Sequence, residues 1–169
     1  MKENIHTDLE KTENHRLKNK KLPEAIEHEI RRYIFGSADA KRSIMAVYLF
    51  GSVLNHEKFK KNSDIDLAFL VDQVLYKQDP FIASSPAYLA ATQIGLMFNR
   101  KTDVVVLNSA SIETAYQAVT TGKVIYEADH DRRIDYEIVL KGLYFDFKPF
   151  LDKLRQHVIL RMSDTESRT

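Results

Sequence analysis

IMAVYLFGS at residues 44–52, followed after eleven residues by DIDLAFLV at 64–71, is the stretch on which the fold turns. Ile44 to Phe50 is a short apolar run, partly β-branched or aromatic, as a strand buried on both faces would be. Gly51 ends it sharply and lets the backbone turn. Asp64 to Val71 reads as a second buried strand, and DVVVL at 103–107 as a third that also opens on an aspartate. Residues two apart in a strand point to the same side, so Asp64 and Asp66 present two carboxylates to one face while Ile65 and Leu67 face the other.

Helical periodicity surrounds these runs. Pro23 stands where a helix would begin, Ile26, Ile30, Tyr33 and Ile34 follow at helical spacing, and Gly36 provides a stop. Asp79-Pro80 and Ser84-Ser85-Pro86 punctuate the chain before a helical run expected from about Ala87 to Asn99. Ile112, Ala115, Tyr116 and Val119 mark another helix that Gly122 closes, and Val124 to Tyr126 a short fourth strand. From Asp131 onward one face stays apolar from Tyr136 to Val158, which predicts a long helix or a kinked pair, with Pro149 bending or breaking it near 146–149. The order of elements is that of an α/β (α+β) domain, a small mixed sheet flanked by helices with a long C-terminal helical segment. We expect a flexible N-terminal arm over 1–21, a single domain over 22–161 and a frayed polar tail over 162–169.

The 169 residues suffice for one domain, and 44% hydrophobic residues suffice for its core. No cysteine is present, so disulfides and thiolate metal sites are excluded and any metal must take oxygen or imidazole ligands. The net charge of +1 argues against stable direct binding of long nucleic acid. The polar start and the shortness of the Ile44–Phe50 run point to a cytoplasmic protein with no membrane association.

Two anions forced together in an apolar strand are costly unless a cation compensates. Asp103, opening a neighbouring strand, would supply a third oxygen ligand. Three carboxylates can hold two hard divalent ions such as Mg2+ about 3.5 to 4 Å apart, as an in-line displacement requires. Gly51 and Ser52 add a turn that admits a phosphate and a hydroxyl that donates to it. A Gly-Ser pair or an Asp-x-Asp alone is commonplace; together, each at the edge of an apolar run, they point to nucleotidyl transfer.

FGS at Phe50–Ser52, SDIDLAFL at Ser63–Leu70 and TDVVVL at Thr102–Leu107 resemble the polymerase-beta superfamily of nucleotidyltransferases, in its small branch of minimal nucleotidyltransferases (MNT). TGKVIYEAD at 121–129 through RRIDYEIVLKGLYFDFKPFLDKLR at 132–155 is similar to the end of MNT antitoxins paired with HEPN ribonuclease toxins. The resemblance covers about residues 25 to 155. It implies a polymerase-beta-like fold and Mg2+-dependent transfer of AMP from ATP, with release of pyrophosphate, onto a tyrosine hydroxyl of a cognate HEPN toxin whose RNase activity is thereby silenced. It further implies that Asp64 and Asp66 bridge both ions, that Asp103 holds the ion nearest the acceptor and takes its proton, and that Gly51 and Ser52 hold the β and γ phosphates. Relatives usually place ten residues between the serine and the first aspartate, often with an Ala-Arg-Gly patch; this chain has eleven and no arginine there, leaving His56, Lys60 or Lys61 as substitutes. Two alternatives accompany this reading: transfer to a small molecule such as an aminoglycoside, and an antitoxin that acts by stoichiometric binding.

Overall fold

A computed structural model describes residues 21–55, 57–60 and 62–166, with side chains described as far as His157. The expected N-terminal arm therefore lies, but for Lys21, outside the described residues. The elements in order are α1 (Leu22–Gly36), α2 (Ala38–Ser43), β1 (Ile44–Phe50), a 3-10 turn (Gly51–Leu54), β2 (Ile65–Val71), α3 (Gln73–Gln78), α4 (Pro80–Phe98), β3 (Thr102–Val106), α5 (Ile112–Thr121), β4 (Lys123–Glu127) and α6 (His130–Glu166).

The four strands form one mixed sheet in the order β3-β2-β1-β4. β1 runs antiparallel to β2 and β4, whereas β2 and β3 are parallel. Strand parity then divides the core. Val47, Leu49, Ile65, Leu67 and Phe69 pack with Ile26, Ile30 and Ile34 of α1 and Ala87, Ala90, Ala91 and Ile94 of α4 on one face. Ala46, Tyr48, Phe50, Ala68 and Leu70 pack with Ala115, Ala118 and Val119 of α5 and Leu140 of α6 on the other. The result is a three-layered polymerase-beta-like nucleotidyltransferase fold, as expected, with β1 buried along its whole length.

Proline bears on two expected helices, and the expected start of the first needs correction. α4 begins at Pro80, seven residues before the expected Ala87, and carries Pro86 inside it. Pro80 occupies the first helical position, where its missing amide costs nothing, and the Asp79 carboxylate accepts hydrogen bonds from the amides of Phe81 and Ile82, both at 3.0 Å. Next to the gap that Pro86 leaves, the Ser43 hydroxyl donates to the carbonyl of Ala83, pinning the helix to the end of α2. Tertiary contact thus carries the helix through a residue that would stop it in isolation. α6 likewise continues past Pro149, where the side chains are exposed and water can satisfy the carbonyl left without a partner.

The short helices α2 and α3 escape sequence periodicity because neither spans two turns. Ser37 caps α2 by accepting from the Ala40 amide, and Asp72 caps α3 by accepting from Val74 and Leu75. α4 is also long and apolar enough to cross a membrane by length and composition. Its inner face, Ala83, Ala87, Ala90, Ala91 and Ile94, is instead buried in the domain.

Candidate active site

The site grows from one end of the sheet. Parallel pairing sets Asp66 of β2 directly beside Asp103 of β3, and antiparallel pairing sets Phe50 beside Asp66. Asp64 precedes β2 by one residue. It shares the parity of Asp66, so the three aspartates gather on the sheet face that α5 and α6 cover farther along.

Gly51 follows β1 with φ +75°, a left-handed conformation that favours glycine, and a Cβ there would lie 2.0 Å from Oδ2 of Asp66. The Gly-Ser turn therefore lies against the middle carboxylate. Ser52 stands in the 3-10 turn, half-buried, and its carbonyl accepts from the Asn55 amide at 2.9 Å. Asn55 then folds the chain back, its side-chain oxygen accepting from the amides of Glu57 and Lys58.

Burial, then the charges of Asp103 and Asp64, push the Asp66 carboxyl above its ordinary range. The flanking pair meets a cation: the Lys101 ammonium lies 3.4 Å from Asp64 Oδ2 and 3.4 Å from Asp103 Oδ1. These carboxylates, first that of Asp103, raise the lysine's own pKa.

Lys101 and Arg100 carry no motif that marks them in the sequence, although they directly precede Thr102-Asp103. Arg100 donates to the carbonyls of Lys60 and Ser63, both at 3.0 Å, and its guanidinium lies 4.3 Å from the centre of the Phe59 ring. It fastens the connection between Ser52 and Asp64 onto the start of β3. Of the three residues offered as replacements for the family arginine, His56 and Lys61 lie outside the described residues, and Lys60 is exposed.

Whether these groups suit a metal is decided by donor chemistry and charge. Three carboxylates without a thiol or imidazole among them suit a hard divalent cation. Lys101 marks where the anions require positive charge, and the lack of a side chain at Gly51 lets the Asp66 carboxylate lie against the turn. Asp64 and Asp103 converge on the Lys101 ammonium. Among the described residues no three Asp, Glu or His side chains stand close enough together to form a ready-made cage.

The site is open. Asp103 is 54% and Lys101 72% exposed in their side chains. Two clefts, of about 460 Å3 beside Tyr33, Arg42 and Leu89 and about 360 Å3 beside Met45, Arg132 and Tyr136, are lined by none of the three aspartates.

A model of the polymerase beta nucleotidyltransferase family matches residues 20–131, more than half the chain. The chain belongs to that family. Its fold is that of chains in solved toxin–antitoxin complexes. A toxin–antitoxin bound to AMP-PNP matches with a TM-score of 0.59 at 21% identity over 79% of this chain and 98% of the other. The MntA-HepT toxin–antitoxin matches with a TM-score of 0.56 at 20% identity over 80% and 98%. A tri-AMPylated Shewanella oneidensis HEPN toxin in complex with an MNT antitoxin matches with a TM-score of 0.56 at 19% identity over 80% and 98%. No curated protein matches the chain.

Proposed function

We propose that this protein is the antitoxin of a cytoplasmic HEPN/MNT module and transfers AMP from ATP to a tyrosine hydroxyl of the cognate HEPN RNase toxin, neutralising it. The observation that carries the reading is the registered pair Asp66 and Asp103, with Asp64 and the left-handed Gly51-Ser52 turn gathered around it. The openness of this strand edge favours a macromolecular acceptor over a small molecule held in an enclosed pocket.

In this reading Gly51 and Ser52 hold the β and γ phosphates, and Asp64, Asp66 and Asp103 hold Mg2+, two ions in the full site. When bound, the metal neutralises charge developing on the transferred phosphate. The phenol oxygen forms a bond to the α phosphorus as the bond from that phosphorus to the bridging oxygen breaks. Pyrophosphate leaves, and the phenolic proton passes to Asp103. A phenol of pKa about 10 is about a thousandfold protonated at pH 7, a handicap of roughly 4 kcal/mol that acceptor activation must offset.

A second observation supports a protein partner. Val139, Leu143, Phe147, Phe150 and Leu154 form an exposed apolar stripe at spacings of four, four, three and four along α6. The same helix packs on the sheet face that carries the aspartates. We assign the stripe to the HEPN toxin, which adds stoichiometric masking to catalysis.

Intact-mass analysis of the HEPN partner after incubation with this protein, ATP and Mg2+ tests the reaction. Adenylate units should appear on the toxin and be absent with the Asp66→Ala variant. An unmodified toxin would move the acceptor to a small molecule. Neutralisation by a triple Asp variant at high but not low dose would separate masking from catalysis.

A further inference from the structure

We infer that Lys101 is the built-in counter-cation of the carboxylate site, balancing Asp64 and Asp103 before a metal arrives and setting, by competition, how tightly a divalent cation binds. The inference rests on the metal-site reading proposed above and adds a residue that chemistry alone would not assign to it.

The argument is geometric. The ammonium is equidistant from the two outer carboxylates at 3.4 Å and holds both through one nitrogen. Asp66, between them in sequence and registered beside Asp103, sits in partial burial with two negative neighbours. The only cation the described site ion-pairs with its flanking carboxylates is therefore Lys101. Its carbonyl accepts from the Ile65 amide of β2 at 2.9 Å, which fixes the backbone from which the side chain springs, just before β3.

The lysine side chain itself is 72% exposed, so it can swing out when a divalent ion takes its place. A divalent ion must displace a contact before it gains one. Each exposed ion pair is modest, and two together correspond to about a three- to tenfold change in an equilibrium constant. Lys101 is thus a positioning residue: its ammonium holds the two outer carboxylates around one point in the metal-free protein, where a divalent ion must displace it.

The test is Mn2+ binding to the full chain without nucleotide, followed by the electron paramagnetic resonance of free Mn2+ at low ionic strength. Lys101→Met should bind Mn2+ about three- to tenfold more tightly than the parent, the range two exposed pairs supply, and the advantage should shrink as salt screens it. Lys101→Arg, which keeps the cation, should stay near the parent. In metal-free buffer Lys101→Met should melt lower than the parent and gain more from added Mn2+, whereas loss of a structural contact would lower both states equally. Equal or weaker Mn2+ binding by Lys101→Met overturns the role given to Lys101. Asp66→Asn separates the two readings. If it abolishes Mn2+ binding while Lys101→Met changes nothing, the metal site stands and Lys101 has no part in it; if it leaves binding intact, or if no form binds Mn2+, both readings fall.

Discussion

Asp66 and Gly51 show how closely the site is built. A side chain at 51 would need both a left-handed backbone and the space that Oδ2 of Asp66 occupies. Gly51→Ala should therefore cost about 1 to 3 kcal/mol in denaturant unfolding and lower adenylyl transfer by about a hundredfold or more, the scale of losing a preorganised phosphate contact. The raised pKa of Asp66 means that, without metal, its ionisation opposes folding: its contribution to stability is present at low pH and lost as pH rises through the folded-state value. Asp66→Asn should thus melt higher than the parent at neutral pH in chelator, yet be inactive. The aspartates were legible in the sequence because strand parity is local. Lys101 and Arg100 were not, because their importance lies in contacts to residues 60–64 that no local period encodes.

At the scale of elements, α4 and α6 carry the differences between expectation and structure. Proline is a local veto on helix that its surroundings override, through the local Asp79 cap and the long-range Ser43 contact in α4 and through solvent access in α6. Pro149→Ala restores a donor and should slow amide exchange across residues 145–155 while leaving the sheet's exchange unchanged. The stripe on α6 predicts a different phenotype. Phe150 is 62% exposed, so Phe150→Asp should leave the melting temperature within a degree or two of the parent while weakening capture of the HEPN partner by about tenfold or more.

Across the whole molecule, a buried polar network locks α6 to the sheet. The Tyr48 hydroxyl donates to Glu137 Oε1 at 3.0 Å, and Glu137 also takes Lys141 at 3.0 Å and Arg133, which reaches Glu127 at 2.6 Å. Burial raises the Glu137 pKa, but the hydrogen bonds from Lys141, Tyr48 and Arg133 outweigh it and leave the carboxyl below its ordinary value. Such a group contributes stability above its unfolded value of 4.5 that is lost as pH falls through the folded value. Glu137→Ala should cost about 2 to 4 kcal/mol at pH 7, and the gap to the parent should narrow below pH 4.5 in urea melts.

By itself the sequence determined the four strands, the four longer helices, the division of apolar residues between two faces and the aspartates at strand edges, because each follows from a short period and a local stop. Only the tertiary structure decided that β2 and β3 pair in parallel with Asp66 beside Asp103, that Gly51 closes on Asp66, and that Lys101 stands between the outer carboxylates. These are long-range pairings, set by how helices cover both faces of one sheet, and no residue's neighbours along the chain specify them.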